Sequence, residues 1–251
     1  MLKQLINTCQ FLLNNFPAAQ EVNDYLSHRL SPQSISLFKF GYFPDSSNLL
    51  ALTSILDEYI LKELKLLYNR EIEDSLGPRQ IITSYFENYP LIIPFHDTYG
   101  SPIALIGRTL LSDQERKSLL IAKYKNTVFH KGNYLFGLFE NKRSILENDL
   151  VYIVEGQFDV IKAVENNFTN IVALSNSNMT PYQFSLITRY TNNLILLLDN
   201  DEAGEKGRAR IINKFGSLAN IRNLYLTDEY KDIDEFFSNN KNCCPTFTFK
   251  D

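Results

Sequence analysis

The chain has 251 residues, room for one large domain or two small ones around an ordinary hydrophobic core. Its 25 Lys+Arg stand against 29 Asp+Glu, so no global basic charge announces a nucleic-acid partner. Cys9, Cys243 and Cys244 form no C-x-x-C pair and the three histidines lie far apart, which argues against a disulfide framework or a zinc site and favours a reducing cytoplasm. No apolar run approaches the length of a membrane span and the amphipathic start is not a signal peptide, so a soluble protein with no membrane partner is expected.

Residues 2–16 place Leu2, Leu5, Ile6, Cys9, Leu12, Leu13 and Phe16 on one face at helical spacing. A second helix is expected over 17–29, with Val22, Tyr25 and Leu26 inward. Ser31-Pro32 reads as an N-cap followed by a first-turn proline, opening a short helix that Gly41-Tyr42-Phe43-Pro44 breaks. Residues 49–67 predict one further long amphipathic helix, and Gly77-Pro78 marks a break in the chain beyond it. From Tyr89 the period changes, and 91–95 and 103–106 read as two strands joined by the hairpin-like turn Asp97-Thr98-Tyr99-Gly100. Between Arg108 and Arg143 eight basic residues stand against three acidic ones, interleaved with Tyr124, Phe129, Tyr134 and Phe136. Such a mixture suits a surface that tracks a phosphate backbone while bases stack. Composition alone favours the plainer alternative, a solvated face above core aromatics.

A helix over 140–147 leads to the strand Val151-Tyr152-Ile153-Val154, which runs straight into Glu155-Gly156. A helix over 157–166, a strand over 171–174 and the loop Ser175-Asn176-Ser177-Asn178 come next, then a helix start at Thr180-Pro181. The apolar run 194–198 ends in Asp199-Asn200-Asp201, ahead of Ala203-Gly204, a helix over 205–215 and a last strand over 221–226. The tail from Ser238 is expected to fray. Continuous rather than alternating apolar runs suit strands covered on both faces of a parallel sheet. The second half therefore reads as a β-α-β-α-β-α, doubly wound α/β unit.

In such sheets ligands gather beyond the carboxyl ends of the strands, where Glu155, Asp199 and Asp201 fall. Carboxylates packed together repel one another unless a cation or protons compensate. Magnesium takes hard oxygen ligands and keeps several waters, so two or three carboxylates suffice to hold it for phosphoryl transfer. Gly156 and the pair Ala203-Gly204 would let substrate phosphates approach the backbone. Taken singly, a D-x-D or an E-G after a strand is an ordinary exposed turn. Their coincidence at two strand ends of one unit reads as a metal site. Asp159 lies on the first turn of the helix after Glu155, where it either joins this acidic set, with Asp232 and Asp234, or serves the helix dipole.

Val154-Glu155-Gly156-Gln157-Phe158-Asp159-Val160-Ile161, followed by Leu198-Asp199-Asn200-Asp201-Glu202-Ala203-Gly204, resembles the topoisomerase–primase (TOPRIM) module. The flanks narrow the resemblance to the RNA-polymerase domain of bacterial-type (DnaG-like) replicative primases. Tyr25-Leu26 with Arg29-Leu30-Ser31, Phe38 and Gly41-Tyr42-Phe43-Pro44 is similar to the start of that domain. So are Ile93-Pro94-Phe95 with Asp97 and Gly100, Gly107-Arg108, Lys123-Tyr124-Lys125-Asn126-Thr127, Phe129-His130-Lys131-Gly132 and Leu135-Phe136-Gly137-Leu138. Lys231-Asp232-Ile233-Asp234-Glu235 is similar to the acidic motif that closes the family's TOPRIM unit.

The resemblance implies a mixed α+β basic primase-core subdomain over 1–147, a TOPRIM domain with a mainly parallel four-stranded sheet over 148–240, and a tail over 241–251. It implies a DNA-directed RNA polymerase that makes short RNA primers on single-stranded DNA from NTPs. Glu155, Asp199 and Asp201 would hold Mg²⁺ or Mn²⁺ and carry catalysis with Asp159, while Asp232 and Asp234 assist at the metal. Arg29, Arg108, Lys123, Lys125 and Lys131 would bind triphosphate or the template–primer backbone. The family's zinc-binding and helicase-binding domains and much of its later helical subdomain have no counterpart in these residues. A replicative helicase or a separate zinc-domain protein is therefore an expected partner, and a bacterial or phage-infected bacterial cytoplasm the expected compartment. Ile106-Gly107-Arg108 replaces a glycine-rich pair before the arginine, Ser175-Asn176-Ser177-Asn178 a glycine-containing loop, and Asp232-Ile233-Asp234 the usual Asp-Pro-Asp. Two other readings stay open: a TOPRIM-type metal-dependent nuclease, and a non-catalytic template-binding subunit of a replication or transcription complex.

Overall fold

The computed structural model describes residues 1–74, 77–226, 230–240 and 247–248. They form two compact units, one of Met1–Phe95 and Pro102–Phe129, the other of His96–Ser101 and the chain from His130 onwards.

The first unit opens with α1 (Leu2–Asn15) and α2 (Gln20–Arg29), whose buried Leu5, Cys9, Leu12, Val22 and Leu26 follow the helical period. Ser31 caps α3 (Pro32–Leu37) by accepting from the Ser34 N–H at 3.3 Å. Gly41-Tyr42, expected only to break this helix, forms β1 (Gly41–Tyr42), and a Cβ at Gly41 would fall 2.6 Å from Cβ of Cys9. Residues 49–67 are not one helix. They make α4 (Leu49–Thr53) and α5 (Glu58–Glu63), because Ser54 bonds back to the Ala51 carbonyl and Asp57 accepts from the Tyr59 N–H, starting a new helix. Leu67 then opens an unexpected antiparallel hairpin of β2 (Leu67–Asp74) and β3 (Gly77–Ser84). The fully buried β4 (Leu91–His96) pairs antiparallel with β1 and neighbours β5 (Pro102–Arg108). After α6 (Asp113–Ser118), β6 (Tyr124–Asn126) completes a sheet of order β1-β4-β5-β6.

The second unit contains α7 (Leu138–Asn148), β7 (Val151–Val154), α8 (Gln157–Glu165), β8 (Ile171–Ala173), α9 (Pro181–Ile187), β9 (Asn193–Leu196), α10 (Glu202–Phe215) and β10 (Asn220–Asn223). The tip 96–101 belongs with it because His96 Nδ1 meets Glu140 Oε1 at 3.1 Å and Lys142 Nζ donates to Thr98 O at 2.9 Å. The four strands form the expected parallel sheet, in the order β10-β9-β7-β8. Val151, Ile153, Val172, Leu194 and Leu196 form its core with Leu186, Ile187 and Ile211 from the helices. The expected last strand divides: β10 runs parallel to β9, whereas β11 (Tyr225–Leu226) pairs antiparallel with β12 (Phe247–Thr248), after α11 (Ile233–Asn239). The tail expected to fray from Ser238 is thus helical to Asn239 and paired at 247–248, and its remaining residues, 241–246 and 249–251, lie outside the described residues.

Candidate metal centre

Parallel registration of β7 with β9 carries their two acidic ends side by side. Leu197 N–H still donates to Ile153 O at 2.8 Å before the chain turns out through Asp199, and a backbone hydrogen bond from Asp199 supports the Glu155 carboxylate. Glu155 Oε1 is buried without a hydrogen-bond partner. Burial, and then the charge of Asp199, push the Glu155 carboxyl up to about 7. Asp199 is also raised, by burial, against the pull of Lys231. Asp201 is held below its ordinary value because it caps α10, accepting from the Gly204 N–H at 3.0 Å. Lys231 Nζ lies 3.2 Å from Asp199 Oδ2 and 3.6 Å from Asp201 Oδ2.

Asp159 is 6% exposed and accepts from the backbone N–H groups of Gly156 (2.9 Å) and Asp234 (3.1 Å), which locks the start of α8 to α11. Burial, with Asp232 and Asp199 nearby, raises its carboxyl well above the usual range. Asp232 caps α11 through the Glu235 N–H at 2.8 Å, and burial raises it too. Asp234 sits in the first turn of that helix. Asp159 thus braces α8 against α11 while lying beside Asp199 and Asp232 of the acidic set.

The glycines serve the chain itself. A Cβ at Gly204 would fall 2.1 Å from the Asp199 carbonyl oxygen, and one at Gly156 would fall 2.8 Å from Asp159 Oδ2. Both make room for the carboxylate-bearing backbone or for the brace.

Sequence reasoning missed Arg208. It is 1% exposed within α10, donates to the carbonyls of Leu198 and Asp199 (3.1 Å for the latter), and lies 4.3 Å over the Tyr225 ring. A further contact reaches Glu205 Oε1 at 3.3 Å. The guanidinium thus holds the peptide that presents Asp199. The available signal was its place on the same face as the buried Gly204, Gly207 and Ile211.

The basic positions divide. In the first unit, Arg108 is buried between two rings, with its guanidinium 5.2 Å from Tyr25 and 5.3 Å from Tyr124. Arg29 lies 5.4 Å from the same Tyr25 ring, and Lys123 is exposed beside Tyr124. Lys125 Nζ donates to Tyr85 O at 2.6 Å above that residue's ring, and burial lowers its pKa. Lys131 belongs to the second unit, half-buried, its pKa also lowered by burial. Phe129 is half-buried against Phe95, and Phe136 is a core residue.

Among the described residues, no three His, Cys, Asp or Glu side chains converge closely enough to hold a metal ion in the arrangement seen. The chemistry of the set nevertheless fits a hard divalent ion. All donors are carboxylate oxygens, Glu155 Oε1 is a buried acceptor with nothing bound to it, and Asp199 and Asp201 already share one cationic group.

The chain matches a family described as DNA primase catalytic core, N-terminal domain, over residues 11–142, and a Toprim-like family over 152–237. It is 30% identical over 234 residues to a DNA primase of Aquifex aeolicus, covering 92% of this chain and 45% of that protein. The crystal structure of the Aquifex aeolicus primase zinc-binding and RNA polymerase domains superposes with a TM-score of 0.73 at 28% identity, over 95% of this chain and 57% of that one. A structure described as the DnaG primase catalytic domain bound to ssDNA gives 0.71 at 24% identity, over 96% and 76%. The chain spans less than half the length of the curated relative. Among the described residues no helix is long and apolar enough to cross a membrane. With more than half of its residues inside the first of these matches, the chain belongs to the DNA primase catalytic core family.

Proposed function

We propose that this chain is the catalytic core of a DNA primase, synthesising short RNA primers on single-stranded DNA from NTPs. The observation that carries the reading is the primase-core match over 11–142 joined, in one chain, to Glu155, Asp199 and Asp201 at neighbouring carboxyl ends of parallel strands. A bound Mg²⁺ or Mn²⁺ supplies charge neutralisation for the attacking, leaving and phosphoryl oxygens. Glu155, Asp199 and Asp201 hold and orient that charge. Asp159 ties Gly156, just past the end of β7, to the start of α11, where Asp232 and Asp234 stand. Lys123, exposed beside Tyr124, forms with Arg29, Arg108, Lys125 and Lys131 the basic set that meets the phosphates.

Within this reading residues 1–147 form the primase-core subdomain, 148–240 the catalytic domain and 241–251 a tail. The template is single-stranded DNA, in line with the relative bound to ssDNA, and the bacterial relatives support a bacterial or phage-infected cytoplasm. A replicative helicase or separate zinc-domain protein directs the start site. A nuclease reading leaves the primase-like first half without a use. The test is to incubate the protein with single-stranded template, labelled ribonucleotides and Mg²⁺ or Mn²⁺. Short RNA ladders that vanish in Asp199→Ala and Glu155→Ala support the proposal, whereas shortened template, or no product at all, overturns it.

A further inference from the structure

We infer that Lys231 is a tethered cation that the divalent ion displaces, and that this exchange sets how tightly the ion is held. The inference rests on the metal centre proposed above. Asp201 Oδ1 is committed to the Gly204 N–H, so Oδ2 is the oxygen left for a ligand, and that oxygen lies 3.6 Å from Lys231 Nζ. On Asp199 the oxygen facing the ammonium, at 3.2 Å, is again Oδ2. A divalent ion ligated by these oxygens would stand within roughly 4 Å of the ammonium, where like charges repel strongly in a partly buried setting. The two cations therefore exclude one another.

The backbone around Lys231 is fixed while its side chain is not. Asn200 N–H donates to Lys231 O at 2.9 Å, and Lys231 N–H donates to Glu235 Oε2 at 2.7 Å. The side chain is 56% exposed, so its four-carbon stem can swing the charge into water without disturbing α11. The ammonium is held by the same two carboxylates that await the ion. Before the ion arrives Lys231 offsets the repulsion between Asp199 and Asp201, and afterwards it is released. A partly exposed pair of this kind is weak, so its removal tightens ion binding by a modest factor of about threefold to tenfold.

The test compares wild type, Lys231→Met, Lys231→Arg and Asp199→Ala in Mn²⁺ titrations, reading free Mn²⁺ by electron paramagnetic resonance. Lys231→Met should bind about threefold to tenfold more tightly, and Lys231→Arg, which keeps the charge, should stay near wild type. In ¹⁵N-lysine-labelled wild type, Mg²⁺ should shift the Lys231 ammonium resonance saturably. Unchanged or weaker binding in Lys231→Met, or an ammonium signal indifferent to Mg²⁺, overturns the inference. If wild type and Asp199→Ala bind Mn²⁺ alike, the metal centre itself fails. If Asp199→Ala loses binding and Lys231→Met gains none, only the role of Lys231 fails.

Discussion

Arg208→Met removes the one buried cation that holds the Asp199 peptide. In the structure its guanidinium is 1% exposed, bonds to the Leu198 and Asp199 carbonyls and stacks on Tyr225. Each hydrogen bond from a charged donor is worth about 1.5–3 kcal/mol, and two carbonyls lose their donor at once. The arginine's own desolvation, visible in its lowered pKa, offsets part of this. The contact with exposed Glu205 adds little. A net loss of roughly 3 kcal/mol results, which lowers the melting temperature by roughly 6–12 °C in a chain of this size. Circular dichroism melts of wild type, Arg208→Met and Arg208→Lys give the measurement. The lysine variant keeps the charge and one bond, so about half the loss is expected. A methionine variant melting within about 2 °C of wild type would refute the claim that this side chain organises the strand end.

Glu155 titrates near 7 when folded, against an ordinary value of about 4.3. Between these values the folded state binds more protons than the unfolded one, so the contribution of Glu155 to stability falls as pH rises through the window. Metal-free protein should lose thermal stability from about pH 4 to 7, and Glu155→Gln should flatten that slope; an unchanged slope contradicts the assignment. Asp159 accepts two backbone N–H groups as a buried, raised-pKa acid. Asp159→Asn keeps one acceptor oxygen but turns its amide NH2 toward the other backbone N–H, so it should cost about 1–3 kcal/mol, while Asp159→Ala, which leaves both donors unpaired, should cost about 2–4 kcal/mol by denaturant titration.

Much of the second unit was legible because its strands are covered on both faces. Val151-Tyr152-Ile153-Val154 and the run to Leu198 are apolar without alternation, which fixes both their parallel pairing and the placing of Glu155 and Asp199 at their ends. Residues 49–67 misled because Leu49, Leu52, Leu56, Leu61 and Leu66 stay buried across a break made by the Ser54 and Asp57 side chains, with no glycine or proline to mark it. The hairpin of β2 and β3 was hidden by its charge, since Arg70, Glu71, Arg79 and Gln80 are exposed strand residues. Arg208 looked like a surface charge on an amphipathic helix. Only the close approach at Gly204 brings α10 near enough for its guanidinium to reach the strand carbonyls. Lys231 was legible as part of a motif but not as a partner of Asp199 and Asp201, because that contact joins distant points of the chain.

The most direct measurement is anomalous scattering from crystals grown or soaked with Mn²⁺. A peak within ligand distance of the carboxylate oxygens of Glu155 and Asp199, with the Lys231 ammonium turned away, is the predicted result. Full Mn²⁺ occupancy elsewhere, with those oxygens still facing the ammonium, would contradict it.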